Sequence, residues 1–167
     1  LAYKAARLLM DEFDIKEGVN IRIKKFIPVA AGMAGGSSDA AAVLFGVNKM
    51  FSLGPSMEEL MKRGVRLGAD VPYCLMRGTA LSEGIGEILT PLDPVPQCQV
   101  LIAKPSVSVS TKFVYENLHV NQLPKTAHPD IDRLMRAIED RDLRGLAENM
   151  GNILETAPTP AHPGIQD

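Results

Sequence analysis

The stretch Pro28–Asp39 reads Pro-Val-Ala-Ala-Gly-Met-Ala-Gly-Gly-Ser-Ser-Asp, and no other part of the chain restricts the fold so tightly. Gly32, Gly35 and Gly36, set among alanines, keep side chains away from the backbone and leave its N–H groups open to an anion. The flanks give this stretch its place. Before it, Val19–Phe26 alternates apolar and polar residues well enough for a half-buried strand, with Lys24 and Lys25 on its solvent face. After it, Val43, Leu44, Val47 and Met50 recur at helical spacing, which predicts a helix over Ala40–Phe51. A helix that starts from such a loop presents unpaired N–H groups and the positive end of its dipole. This arrangement suits a phosphate, and Ser37 and Ser38 add hydroxyls able to donate to it or to ligate magnesium. A turn capped by Ser38 or Asp39 is the plainer alternative. The loop is not a Walker A sequence, since no Gly-Lys-Ser/Thr follows, and it does not spell Gly-x-Gly-x-x-Gly.

Elsewhere the pattern mixes helices with short strands. Leu1, Ala5, Leu8 and Leu9 predict an opening helix that runs to Asp11–Asp14, and Ser56 with Glu59 predicts a capping box for a helix ended by Gly68. Tyr73–Met76, Thr79–Ser82 and Glu87–Thr90 read as strands of an antiparallel sheet, parted by Gly78 and by the turn Gly84-Ile85-Gly86. The prolines of Pro91–Pro96 mark a boundary between two domains, 1–94 and 95–167. Beyond it Val100–Ala103 reads as a strand, and Thr111–Leu118, Asp130–Asp140 and Leu143–Asn149 as helices.

Composition narrows the function to small molecules. A formal net charge of -2, with no run of five like charges, offers nothing to gather nucleic acid or anionic lipid. Cys74 and Cys98 lack the spacing of a zinc site or a disulfide framework, which fits core residues in a reduced cytoplasm. Apolar runs such as Ala40–Phe45 are far shorter than the roughly 20 residues that span a bilayer, so a soluble protein is expected. Oligomeric state is left open.

Asp70 is the other residue with a chemical argument. It stands between Gly68-Ala69 and Val71-Pro72, an apolar tight turn where a carboxylate is expected to be poorly solvated. A general base is one reason to place it there, and a turn or helix cap is the other. Glu87 reads as a solvated strand residue before it reads as a ligand contact, and His119, His128 and His162 as surface residues. Tyr115 and the methionines read as packing residues.

The wording of these segments resembles the GHMP kinase superfamily, and within it the 4-diphosphocytidyl-2-C-methyl-D-erythritol kinases. Pro28 to Asp39 with Ala40-Ala41 follows that family's Pro-x-x-x-Gly-(Leu/Met)-x-Gly-Gly-Ser-Ser-(Asp/Asn)-Ala-Ala loop. Leu67-Gly68-Ala69-Asp70-Val71-Pro72 follows its aspartate segment, and Gly84-Ile85-Gly86-Glu87 with Leu89-Thr90-Pro91-Leu92 a third motif. Val107–Thr111 with Val114-Tyr115 is similar to a fourth, and Lys104-Pro105 then falls near the substrate, with Ser106 in place of a family glycine. The resemblance implies an α+β fold, with a ribosomal-protein-S5-like amino domain followed by a ferredoxin-like carboxy domain. It implies ATP with magnesium as cofactors and 4-diphosphocytidyl-2-C-methyl-D-erythritol as phosphoryl acceptor at its 2-hydroxyl, in the non-mevalonate route to isoprenoids. Pro28, Ala31, Gly32, Met33, Ala34, Gly35, Gly36, Ser37 and Ser38 would border the nucleotide phosphates, and Asp70 would be the base. The family's opening Lys-x-Asn-Leu and closing Gly-Ser-Gly-x-(Ser/Thr)-x-Phe motifs do not occur in these residues, so both domains are expected to be partial. Another GHMP kinase, acting on homoserine, mevalonate or a sugar, and an inactive nucleotide-binding fragment are the alternatives.

Overall fold

The structure is a computed structural model that describes residues 1–29, 31–103, 111–124 and 127–156. Two compact units follow one another along the chain, Leu1–Leu92 and Asp93–Asp167. The first begins with α1 (Ala2–Glu12) and α2 (Gly35–Met50), continues through α3 (Met57–Gly64) and α4 (Val71–Met76), and ends in β1 (Thr79–Glu83) and β2 (Ile88–Leu92). Helices and a small sheet in one chain make an α+β fold.

Small residues let α1 and α2 lie close together. Ala5, Ala6 and Leu9 of α1 are buried in one cluster with Ala40, Ala41, Leu44 and Val47 of α2, and Leu60 of α3 and Val71 and Leu75 of α4 complete it. At about 25 cal/mol per Å² of apolar surface removed from water, this cluster is the main stabilising term of the unit. α3 starts as its sequence predicts. The Ser56 hydroxyl accepts from the Glu59 N–H at 3.3 Å, and the Glu59 carboxylate accepts from the Ser56 N–H at 2.8 Å, which closes a reciprocal capping box. α3 stops at Gly64, four residues short of Gly68. A Cβ at Gly64 would sit 2.9 Å from Val71 Cγ1, so a glycine here lets α4 pack against the end of α3.

Several sequence expectations give way to tertiary structure. Tyr73–Met76 is helical, because Pro72 pre-sets the first turn of α4 and Val71, Pro72 and Leu75 fall on one buried face. Residues 19–26 form no strand: the β1–β2 pair is the sheet found among the described residues, and alternation without a partner makes no ladder. Val100–Ala103 likewise has no strand partner among the described residues, with Val100 and Leu101 exposed. β1 and β2 are antiparallel, with Leu81 opposite Thr90 and Ala80 opposite Pro91. Pro91 thus continues a ladder where its sequence predicts a break, and an edge strand tolerates it because one side of each edge residue needs no ladder donor.

The second unit contains α5 (Thr111–Asn117), α6 (Ile131–Glu139) and α7 (Leu143–Asn149). Asp130 caps α6 by accepting from the Arg133 N–H, and Asp142 caps α7 by accepting from the Arg144 N–H. Among its described residues Pro96, Ala137 and Ile138 are buried. His119 and His128 are exposed, as is Cys98, which is therefore no core residue; Cys74 is half-buried. Lys104, Pro105, Ser106, the Val107–Ser110 part of the fourth motif and His162 lie outside the described residues.

Candidate phosphate-binding site

α2 begins at Gly35, five residues before its expected start, so Gly35, Gly36 and Ser37 belong to its first turn and not to a preceding loop. Ala34 is its N-cap in a left-handed conformation, φ 48° and ψ 24°, and Gly32 also has positive φ, 66°. These two reversals turn the chain into the helix. Ser38 closes the turn from within, its N–H donating to the Ala34 carbonyl at 2.8 Å and its hydroxyl donating to the same oxygen at 3.0 Å. Since the Ser38 N–H makes the first intrahelical bond, those of Gly35, Gly36 and Ser37 have no helical acceptor. They stand at the positive end of a 16-residue helix.

A cavity of about 510 Å³ opens at this end. Pro28, Ala31, Gly32, Met33, Ala34, Gly35, Gly36 and Ser37 all border it; Ser38 does not. The Ser38 side chain instead borders a separate cleft of about 470 Å³ on the other side of α2, with Oγ 3.6 Å from Cys74 Sγ. Ser37 is buried to 8% exposure, and among the described residues its hydroxyl is not engaged in a hydrogen bond. That leaves the hydroxyl available to a ligand oxygen or a cation in the cavity, which Ser37 borders.

The second and third motifs lie beside this turn. A Cβ on Gly68 would lie 3.9 Å from Ser37 Oγ, and one on Gly86 would lie 3.7 Å from Ala69 Cβ, so both segments approach to within van der Waals distance. Asp70 follows directly as the N-cap of α4. Its side chain makes no capping hydrogen bond, is exposed, and does not border the cavity. The expected desolvation of Asp70 is thus corrected, because the residue ends an outward turn while its neighbours Val71 and Pro72 are the ones buried. Glu87 is engaged locally: its carboxylate accepts from the Ile85 N–H at 2.7 Å and braces its own turn.

Lys25 is the residue that sequence reasoning misplaced. Its side chain lies over the first turn of α2, with Nζ donating to the Asp39 carboxylate at 2.7 Å and to the Gly35 carbonyl at 3.0 Å, and both Lys25 and Asp39 border the cavity. Lys24 stays outside, its ammonium 5.1 Å from the Phe26 ring centre. Nothing in the alternation of Val19–Phe26 separates the two lysines. Gly35 fits the same crossing, since a Cβ there would meet Ile27 Cγ2 at 3.0 Å and Lys25 Nζ at 3.2 Å; it is this close approach, and not a positive φ, that favours glycine.

No helix among the described residues is long and apolar enough to cross a membrane. Comparison with known proteins adds the lineage. The family model of the GHMP kinases N terminal domain matches residues 1–78. A 4-diphosphocytidyl-2-C-methyl-D-erythritol kinase from Lachnoclostridium phytofermentans is 58% identical over 166 residues, which is 99% of this chain and 56% of that protein. One from Clostridium perfringens is 54% identical over 97% of this chain and 56% of its own length. A crystal structure of a 4-(cytidine 5'-diphospho)-2C-methyl-D-erythritol kinase superposes with a TM-score of 0.75 at 28% identity, covering 99% of this chain and 58% of that one. The chain thus spans a little over half the length of the relatives it matches. The glycine-rich helix start and the aspartate turn packed beside it thus both fall within residues 1–78, the stretch that matches the GHMP kinases N terminal domain.

Proposed function

We propose that this chain is part of an enzyme that transfers the γ-phosphoryl group of ATP to the 2-hydroxyl of 4-diphosphocytidyl-2-C-methyl-D-erythritol, a cytoplasmic step of the non-mevalonate route to isoprenoids. The observation that carries the reading is the cavity at the start of α2, where the N–H groups of Gly35, Gly36 and Ser37 lack helical acceptors beside an unpartnered Ser37 hydroxyl. Its volume suits a nucleotide-sized ligand, for which such sites run from roughly 300 to 1,000 Å³. The names of the relatives supply the acceptor.

Each residue has a role in this reading. The first-turn amides of α2 hold phosphate oxygens, while Ser38 spends its hydroxyl on the Ala34 carbonyl and keeps that turn closed. Magnesium, when bound, offsets the charge that builds up on the transferred group. Among the described residues that border the cavity, the Ser37 hydroxyl is an oxygen that would hold it. The described residues contain no cluster of three acidic, His or Cys side chains, but a magnesium ion held largely by phosphates and water needs only one or two protein oxygens. Asp70, with no capping bond to occupy it, accepts the proton of the attacking hydroxyl.

The test is product formation from ATP and 4-diphosphocytidyl-2-C-methyl-D-erythritol, with homoserine, mevalonate and a sugar as rival acceptors in parallel. Phosphorylation of the cytidine diphosphate compound alone is the expected result. Preferred phosphorylation of a rival would overturn the acceptor, and a protein unable to bind ATP would overturn the reading as a whole.

A further inference from the structure

The wall of the phosphate cavity contains a carboxylate. Asp39 stands on the same side of α2 as the open first-turn N–H groups, it borders the cavity, and its side chain retains 27% exposure. An unpaired negative charge there would repel a triphosphate within a few ångströms and would oppose the helix dipole that attracts it. Lys25 removes that difficulty. Its ammonium lies 2.7 Å from the Asp39 carboxylate and 3.0 Å from the Gly35 carbonyl, so one cation both neutralises the acid and ties down the first residue of the helix.

We infer that Lys25 is a positioning residue of the phosphate site, which masks Asp39 and holds the α2 turn in the form that accepts an anion. The inference rests on the nucleotide reading above, and it assigns to Lys25 no contact with the ligand. The geometry of Gly35 supports it independently. A Cβ at that position would meet Ile27 Cγ2 at 3.0 Å and Ile27 Cβ at 3.2 Å, with Lys25 Nζ next at 3.2 Å, so glycine leaves room for the segment that carries Lys25 to cross the first turn of α2. The adjacent Lys24 is a natural control, because it is exposed and turned toward Phe26.

The experiment is calorimetric titration of the full 167-residue chain with the non-hydrolysable analogue AMP-PNP. Variants Lys25→Met, Lys24→Met, Asp39→Asn and Lys25→Met/Asp39→Asn are compared, with the circular dichroism of each recorded. Unmasking the carboxylate beside a polyanion should weaken binding by roughly five- to twentyfold in Lys25→Met, and Lys24→Met should bind as the parent does. Adding Asp39→Asn should return Lys25→Met to within about threefold of the parent, since the charge that needed masking is gone. Asp39→Asn alone, which leaves Lys25 unpaired beside the phosphates, should bind more tightly than the parent, and this arm stands even if Lys25→Met misfolds. A double variant as weak as Lys25→Met, or an Asp39→Asn weaker than the parent, would overturn masking. A parent chain that binds AMP-PNP with Lys25→Met unchanged would overturn Lys25 alone. A parent that does not bind the analogue at all would remove the nucleotide reading, and this inference with it.

Discussion

Two glycine-to-alanine substitutions in neighbouring helices should move stability in opposite directions, for reasons the structure makes quantitative. Gly46 lies within α2, and a Cβ added there would meet nothing within 4 Å. Gly46→Ala should therefore gain the helix propensity that glycine forgoes, roughly 0.5–1 kcal/mol. Gly64 is the last residue of α3, and its Cβ would fall 2.9 Å from Val71 Cγ1, 3.4 Å from Val71 Cβ and 3.5 Å from Leu75 Cδ1. Val71 is 0% exposed and Leu75 5%, so neither has room to retreat. Overpacking costs about 1–3 kcal/mol, and a propensity gain of at most about 1 kcal/mol offsets part of it, which leaves Gly64→Ala destabilised by roughly 1–2 kcal/mol. Urea unfolding followed by circular dichroism reads both variants. With a slope of about 1–3 kcal/mol/M, the midpoint should rise by a few tenths of 1 M for Gly46→Ala and fall by about 0.5–1 M for Gly64→Ala. Equal shifts of the same sign would refute the claim that the α3–α4 contact, and not propensity, governs Gly64.

Three further outcomes are expected. Ser56→Ala removes one half of the capping box and should cost about 1 kcal/mol in the same urea assay, while Ser56→Asp, which still accepts from Glu59 N–H, should cost much less. The Arg63 guanidinium hydrogen-bonded to Glu12 holds that carboxyl below the ordinary 4.5. A lowered carboxyl stabilises the fold above the unfolded value and ceases to do so as pH falls through the folded one, so the 0.2–1 kcal/mol expected between parent and Glu12→Gln should be present at pH 7 and shrink below about pH 4. Asp70→Asn should leave the urea midpoint unchanged, because the side chain makes no capping bond, yet lower kcat by roughly 10² to 10⁴ in any protein form that turns over; a parent-like kcat would remove Asp70 from the chemistry.

Local signals in the chain were sufficient wherever a few neighbouring residues decide the outcome. The Ser56 and Glu59 capping box, the helix Leu143–Asn149 and a small-residue turn leading into a helix after Gly32 were all legible, since capping, helical period and small-residue turns are short-range effects. Tertiary structure decided the rest. Residues 19–26 carry the alternation of a strand, but a ladder is a property of two segments and no partner is found among the described residues. Tyr73–Met76 has too few residues for a period to be read, and burial of Val71, Pro72 and Leu75 against α2 and α3 settled it as a helix. The division of labour among Lys24 and Lys25, and between Ser37 and Ser38, could not be read from adjacent identical residues. Which of each pair faces the cavity depends on the direction of the backbone as it enters α2, and that direction is set by the left-handed turn at Ala34 and the packing of α2 on its neighbours.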